Sequence, residues 1–183
     1  MPRVFSAIEL PASARTHLSL LRGEIGGARW TDPANMHITL RFFGDVSTAV
    51  ADEIAGRLGE IVADPVETEI AGTGSFGGDT GVAIYAAVKP SLALETLQKT
   101  HDRIARLAGL PPPPHPFKPH VTLARARRPR ASQIARFLAE TGGMRIQPFT
   151  AERFVLLSSR PGTGGGPYAL EAAVPLGNIE SGD

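Results

Sequence analysis

One tetrapeptide pattern occurs twice in the chain, as HITL at residues 37–40 and HVTL at 120–123. Both copies lie in stretches rich in β-branched and apolar residues and follow a turn that contains proline, so each is predicted to lie on a strand. Side chains two positions apart on a strand share a face. The repeat therefore predicts two similar half-structures that each present an imidazole beside a hydroxyl. The two pairs are His37 with Thr39 and His120 with Thr122.

Helical and strand-like segments alternate along the rest of the chain. Apolar residues at helical spacing predict helices over 11–27, 47–63, 91–108 and 131–140. Alternating or continuous apolar runs predict strands at 3–10, 36–44, 66–71, 82–88, 118–126, 144–148, 153–159 and 168–176. The strands outnumber what parallel crossovers need, so the pattern favours an α+β fold with mainly antiparallel pairing.

Composition limits the possible functions. With 183 residues and 42% apolar content, the chain can bury a full core as one domain, or as two lobes packed closely together. The lack of cysteine excludes disulfides, thiolate nucleophiles and Cys-based metal sites. A net charge of +1 excludes the strong overall basicity of a protein that coats nucleic acid, but it permits a local basic groove. Without a long apolar run or a signal-peptide pattern, the chain is predicted to be cytoplasmic and free of the membrane.

Two imidazoles and two hydroxyls facing one cleft suit phosphodiester chemistry. A neutral histidine takes a proton from water, a protonated histidine gives one to the departing oxygen, and threonine hydroxyls hold the phosphate oxygens. This chemistry requires no metal, and carboxylates at diagnostic metal-ligand spacing are missing near His37 and His120. We therefore expect neither a metal nor another cofactor at this site.

The duplicated pattern resembles the paired H-x-[ST]-x signature of the 2H phosphoesterase superfamily. Further blocks resemble its RNA 2′,3′-cyclic phosphodiesterase branch, historically called 2′-5′ RNA ligases. These blocks are RVFSAIELP, RWTDPANMHITLRFFGDV, FKPHVTLAR and VLLSSRPGTGGGPYALEAAVPL, and they span nearly the whole chain in order. The resemblance implies a single domain over residues 1–183 made of two similar lobes. In such a bilobal, pseudo-twofold α+β domain, two mainly antiparallel sheets carry helices on the outside and enclose a central active-site groove.

The resemblance also implies roles for the repeated residues. It makes His37 and His120 the catalytic pair, and it makes Thr39 and Thr122 the hydroxyls that hold phosphate. By the same analogy His37 is the general acid and His120 the general base. The near symmetry of the two motifs leaves the reverse assignment open.

Three side chains close to the motifs are further candidates for substrate binding. Arg125 matches an arginine of the second block and is suited to phosphate or the RNA backbone. Strict strand alternation from Thr122 places Arg125 on the opposite face unless the strand bulges. Arg41 and Phe43 share the parity of His37, which predicts a backbone contact for the first and base stacking for the second.

The activity implied by the resemblance is hydrolysis of a terminal 2′,3′-cyclic phosphate to a 2′-phosphate. Its substrates are RNA ends or nucleotides that carry this group, and no obligate protein partner is expected. Other enzymatic interpretations are 2′-5′ RNA ligation or another reaction of the superfamily. Interpretations from other classes are a noncatalytic module that binds RNA ends or nucleotides, and a structural protein organised around the proline run PPPPHP.

Two motifs are not explained by the repeat. The segment GTGSFG at 72–77 is predicted to form a glycine-rich turn, because a strand follows it where a dinucleotide fold requires a helix. The segment RARRPR at 125–130 is equally compatible with contact to RNA phosphates and with a solvated surface.

Overall fold

The computed structural model describes residues 1–78, 80–159 and 166–177. The helices in these ranges are α1 (Ala12–Ser19), α2 (Thr48–Gly59), α3 (Leu92–Leu107) and α4 (Ala131–Thr141), with a short 3-10 helix at Pro33–Asn35. The strands are β1 (Arg3–Glu9), β2 (Ala28–Trp30), β3 (His37–Asp45), β4 (Val66–Thr68), β5 (Ile70–Gly78), β6 (Gly81–Val88), β7 (His120–Arg127), β8 (Phe149–Ala151), β9 (Arg153–Ser159) and β10 (Ala169–Pro175). None of these helices combines the length and apolarity needed to cross a membrane.

Eight of the strands form one antiparallel sheet. Seven follow the order β10-β9-β1-β3-β7-β6-β5, and β2 also pairs with β7, while β4 and β8 form a separate two-stranded sheet. The motif strands β3 and β7 meet in the middle through one residue pair, Ile38 with Val121. On either side of this junction the order is equivalent, β9-β1-β3 and β5-β6-β7. The α+β class with antiparallel pairing is therefore confirmed, and the two expected sheets are the two halves of one sheet.

Helices pack against the sheet and enclose a continuous core. Helix α3 contacts β3, α4 contacts β5, and α2 contacts β10. The apolar stripe of α3 includes Leu94, Leu97 and Ile104, all of them buried. Buried apolar residues from both halves belong to one cluster, in which Leu40 of β3 and Leu123 of β7 take part. Because side chains alternate along a strand, the histidine and threonine of each motif lie on the opposite face, away from this core.

Each motif strand contains a bulge at the last residue of its tetrapeptide. Along β1, Ala7 pairs with Thr39 and Ser6 pairs with Arg41, so the register skips Leu40. Along β6, Tyr85 pairs with Thr122 and Ile84 pairs with Ala124, so the register skips Leu123. An extra residue in a strand reverses the alternation of faces beyond it. The residue five positions after each motif histidine therefore turns to the same face as that histidine.

Some elements differ from those predicted. Helix α1 ends at Ser19, and the chain then turns so that Gly23 approaches the Phe137 ring of α4, with 2.7 Å from a hypothetical Cβ to Cδ2. The segment GTGSFG belongs to strand β5 instead of a turn. At 144–148 only an isolated pair, Ala71 with Arg145, replaces the predicted strand. In these places close packing and sheet pairing outweigh the local signal of glycine and apolar spacing.

Candidate active site

The turn before β3 fixes the orientation of His37. Asp32 caps the 3-10 helix Pro33–Asn35 by accepting a hydrogen bond of 2.9 Å from a backbone amide within it. The carbonyl of Asn35 then accepts a hydrogen bond of 2.8 Å from Nδ1 of His37. This bond keeps a proton on Nδ1, so Nε2 carries the lone pair when the ring is neutral. Nε2 lies 3.1 Å from Oγ1 of Thr39.

His120 is oriented in the same way by the residue two positions before it. The carbonyl of Lys118 accepts a hydrogen bond of 2.7 Å from Nδ1 of His120. Nε2 is again the ring nitrogen left for chemistry when the ring is neutral. Both histidines are partly exposed, so the two rings offer equivalent nitrogens to a ligand.

The junction between β3 and β7 brings the two motifs together. Ile38 and Val121 form an antiparallel pair, so their flanking residues run in opposite directions on the other face of the sheet. Extending this antiparallel register by one residue to each side places His37 opposite Thr122 and Thr39 opposite His120. The four side chains predicted from the repeat therefore meet in one groove.

Burial and nearby positive charge lower the pKa of both imidazoles. Burial lowers the pKa of His37, and the charge of His120 lowers it further, while the hydrogen bond to Asn35 acts in the opposite sense. Burial also lowers the pKa of His120 against the raising effect of the Lys118 carbonyl, and the charges of Arg125 and Lys118 lower it further. The charge effect of His120 on His37 is consistent with their placement on neighbouring strands of the groove.

Aromatic side chains pack against each histidine. The ring-centroid distances are 4.9 Å from Phe5 to His37, 5.5 Å from Tyr168 to His37, 5.0 Å from Phe76 to His120 and 5.3 Å from Tyr85 to His120. Phe76 and Tyr85 also stack on each other at 4.3 Å, and the ammonium group of Lys118 lies 5.3 Å from the Phe76 ring centroid.

Tyr85 lies over Gly74, where a Cβ atom would overlap the phenol ring. This packing accounts for one glycine of the GTGSFG segment.

The bulge in β7 turns Arg125 into the groove. Arg125 is exposed on the side of the sheet that carries His120. Burial raises the pKa of Tyr168, and the charge of Arg125 acts against this effect. Because Tyr168 also contacts His37, Arg125 lies close to side chains from both halves of the groove.

The expected placement of Arg41 and Phe43 beside His37 is wrong. The bulge at Leu40 directs both side chains to the core face, where each is 6% exposed. Nη2 of Arg41 donates a hydrogen bond of 2.6 Å to the carbonyl of Pro111, and its Nε lies 3.3 Å from a carboxylate oxygen of Asp102 on α3. Both side chains therefore belong to the packing behind the groove.

Phe42 lies on the groove face, where the sequence predicted Phe43. Phe42 is 50% exposed on the groove face and stacks on Phe5 at 6.4 Å between ring centroids. A signal for this placement was present, because Phe42 follows His37 by the same interval at which Arg125 follows His120. The other aromatic neighbours lie on distant segments and have no comparable local signal.

The groove combines proton-transfer groups with hydrogen-bond donors and cations. Such a set can bind an anionic group, donate a proton at one end and accept a proton at the other. Within the described ranges, no three His, Asp or Glu side chains are grouped as metal ligands would be.

Comparisons with known proteins identify the family. The sequence profile of the 2′-5′ RNA ligase superfamily matches residues 11–163. A relative from Methanothermobacter thermautotrophicus, named RNA 2′,3′-cyclic phosphodiesterase, is 26% identical over 172 residues, which cover 87% of this chain and 93% of the relative. A relative of the same name from Aeropyrum pernix is 35% identical over 115 residues, which cover 61% of this chain and 65% of the relative.

Solved structures show the same fold. The structure of E. coli LigT complexed with 3′-AMP has a TM-score of 0.75 at 22% identity, covering 97% of this chain and 100% of that one. The structure of TT0787 from Thermus thermophilus has a TM-score of 0.72 at 21% identity, covering 94% and 97%. Since the profile spans most of the sequence, the family resemblance of the paired motifs is confirmed, and the chain belongs to the 2′-5′ RNA ligase superfamily.

Proposed function

We propose that this protein is a hydrolase that opens a terminal 2′,3′-cyclic phosphate of RNA to a 2′-phosphate, without a metal ion. The observation that carries the proposal is the equivalent placement of His37 and His120 in one groove. Each ring donates from Nδ1 to a backbone carbonyl and has a threonine of its motif, Thr39 or Thr122, on the same strand face. The names of the relatives support this choice of substrate.

The reaction requires the two histidines in opposite protonation states. The neutral ring removes a proton from water through Nε2 as the water oxygen forms a bond to phosphorus. The bond between phosphorus and the 3′ oxygen breaks, and the protonated ring donates its Nε2 proton to that leaving oxygen. The products are a 2′-phosphate and a free 3′ hydroxyl. On this assignment His37 is the acid and His120 the base.

The threonine hydroxyls and Arg125 stabilise the charge that develops on phosphorus-bound oxygens. The hydroxyl of Thr39 accepts from Nε2 of His37 when that ring is protonated and can donate to it when the ring is neutral. Thr122 occupies the equivalent position in the other half. Arg125 adds a fixed positive charge on the same side, where donors aimed at the transition state are most effective.

The test is incubation of the purified protein, in chelator, with an RNA oligonucleotide that ends in a 2′,3′-cyclic phosphate. We expect a 2′-phosphate product, and we expect His37→Ala and His120→Ala each to lower kcat by about 10²-fold or more with a smaller effect on KM. His115→Ala is the matched control, because His115 is exposed in the proline-rich loop.

Three results would contradict the proposal. Loss of activity in chelator would point to metal catalysis, and a 3′-phosphate product would identify the 2′ oxygen as the leaving group. An intact substrate at high protein concentration, combined with tight binding of the same RNA, would instead favour a noncatalytic module for RNA ends.

A further inference from the structure

A row of arginines continues from the active site along the same sheet face. Beyond the bulge in β7, Arg125 and Arg127 share the face of His120, and both are exposed. Arg29 of β2 pairs directly with Arg125, and alternation puts its side chain opposite to Trp30, which packs against Phe137 of α4. The three arginines therefore line the groove side of β2 and β7.

No carboxylate among the residues that the structure describes neutralises these three positive charges. Arg29, Arg125 and Arg127 have no ion pair there, whereas other arginines such as Arg153 and Arg136 bind carboxylates. Like charges directly opposite each other on paired strands are destabilising. A surface that retains this cost is well suited to an anionic ligand, which removes the repulsion on binding.

The part of β6 that pairs with these arginines carries only small residues on the groove face. Arg125 pairs with Ala83 of β6 and Arg127 pairs with Gly81. On the far side of this part of β6, Phe76 of β5 pairs with Ala83 and stacks on Tyr85. The surface thus has a cationic side, a floor of small residues and an aromatic side, and it begins at His120.

We propose that this surface binds the RNA strand that precedes the terminal cyclic phosphate, with Arg29 and Arg127 contacting backbone phosphates and Phe76 stacking on a base. The proposal rests on the proposed function. Because the cyclic phosphate occupies both the 2′ and 3′ oxygens of the last nucleotide, the remainder of the RNA leaves the active site from the 5′ side of that nucleotide. Along β7, neighbouring arginines are about 6.8 Å apart, so successive positions of an extended strand lie within reach of different guanidinium groups. Phosphate contacts with arginine, together with base stacking, are the usual means of binding single strands without sequence preference.

The test compares two substrates that differ only in length, a mononucleoside 2′,3′-cyclic phosphate and a hexanucleotide with the same terminal group. We expect Arg29→Gln and Arg127→Gln each to lower kcat/KM for the hexanucleotide about fivefold through KM. The dependence of log(kcat/KM) on log salt concentration should become shallower by about 0.7 per arginine removed. Turnover of the mononucleotide should stay within about twofold of the unmodified protein, which also verifies folding. Arg136→Gln on α4 is the matched control and should change neither substrate.

The outcomes separate this inference from the proposed function. An unchanged KM and salt dependence for the hexanucleotide would overturn the inference while leaving the hydrolase proposal intact. Equal losses on both substrates would also overturn it, because the arginines would then act on the terminal nucleotide. If neither substrate is hydrolysed, the proposed function fails. In that case, the affinity of the hexanucleotide for Arg29→Gln, Arg127→Gln and the unmodified protein tests whether this surface binds RNA. Equal affinities for the three proteins would contradict the inference.

Discussion

The environment of each motif histidine sets the pH at which the pair can work. Burial is the main reason why the pKa values of His37 and His120 both lie below that of a free imidazole, and positive neighbours lower them further. The proposed mechanism requires one ring to be neutral and the other protonated, so the rate should follow a bell-shaped pH profile. Since lowered pKa values favour the neutral form, the profile should lie to the acidic side of that expected for two free histidines.

Arg125→Gln should move one limb of this profile to higher pH. The substitution removes a positive charge that lowers the pKa of His120, so protonated His120 becomes easier to form. The limb governed by His120 shifts upward whether this ring acts as base or acid, and the direction is therefore independent of the role assigned to it. The measurement is kcat/KM against pH for both proteins, because this ratio reports the pKa values of the free enzyme, with Arg136→Gln as control. An unchanged profile, or a downward shift, would show that Arg125 does not act on His120.

A third histidine should affect stability rather than the proposed reaction. His101 of α3 is fully buried, with Nδ1 2.7 Å from Oγ of Ser6 on β1 and its ring 4.6 Å from that of Phe154. Burial lowers its pKa to about 3. Below about pH 6.5 the unfolded chain binds a proton at this residue while the folded chain does not. The stability contributed by neutral His101 is therefore complete above about pH 6.5 and is lost as the pH falls towards about 3.

His101→Gln should reduce this pH dependence. Between about pH 7.5 and about pH 5, the decline in the free energy of unfolding should be about 2 kcal/mol smaller in the variant. Urea denaturation at the two pH values measures the difference. Phe154→Leu provides the control, because it removes packing against His101 but no titrating group, and it should lower stability similarly at both pH values. Equal pH dependence in the His101→Gln and unmodified proteins would contradict the buried neutral state.

At the scale of the element, the bulges in β3 and β7 decide which side chains reach the groove. The reversal of parity directs Phe42 and Arg125 to the groove and sends Arg41 and Phe43 to the core. Simple alternation from His37 predicted the opposite for the first strand. For the second strand, strict alternation from Thr122 places Arg125 on the opposite face unless the strand bulges, and the structure contains that bulge.

Phe42→Ala and Phe43→Ala form a matched test of the bulge in β3. Phe42 is half exposed on the groove face, so its loss should leave stability nearly unchanged and raise KM for RNA about fivefold through lost stacking. Phe43 is buried in the core, so its loss should lower the free energy of unfolding by about 3–5 kcal/mol. Chemical denaturation and steady-state kinetics on both variants make the comparison. The reverse pattern, with Phe43 controlling KM and Phe42 controlling stability, would mean that β3 alternates without a bulge.

Local patterns predicted the parts of the site that depend on local geometry. The alternation within HITL and HVTL placed His37 beside Thr39 and His120 beside Thr122, as the structure has them. The aromatic neighbours Phe5, Phe76 and Tyr168 could not be predicted in this way. Phe5 and Phe76 lie on strands, and Tyr168 lies immediately before β10, and the pairing of these strands depends on long-range register. The same limit explains the misassigned glycines at 72–77, whose conformation is set by pairing with β6 and by the position of Tyr85.

On the scale of the whole molecule, α3 links the two halves of the sheet. In the sequence, α3 lies between β6 and β7, which belong to the second half of the sheet (β5-β6-β7). The helix nevertheless packs against β3 of the first half (β9-β1-β3). Asp102 of α3 pairs with Arg41 of β3, and Arg41 also binds the carbonyl of Pro111 in the segment that leads to β7. The strands themselves meet only at Ile38 and Val121 within the described residues. The fixed spacing of the two motifs therefore depends on helix packing and a continuous core more than on strand pairing.

This dependence predicts that the halves unfold together and that Arg41→Met weakens both. Trp30, the only tryptophan in the sequence, packs in the second half against Phe137, so its fluorescence reports on that half while far-ultraviolet circular dichroism reports on all elements. The two signals should share one denaturation midpoint in the unmodified protein. Removing Arg41 leaves the partly buried Asp102 without its cation, which should lower the free energy of unfolding by about 2–3 kcal/mol and shift both signals equally.

Arg153→Met is the control for this prediction, because it breaks an ion pair with Glu9 in which both side chains are well exposed. Such a pair contributes less than about 1 kcal/mol, so both midpoints should change little. If Arg41→Met instead lowered the midpoint from circular dichroism while that of Trp30 fluorescence stayed in place, the second half would be stable without the first. The spacing of His37 and His120 would then depend on the single strand pair at the junction, and the proposed role of α3 as the link would be wrong.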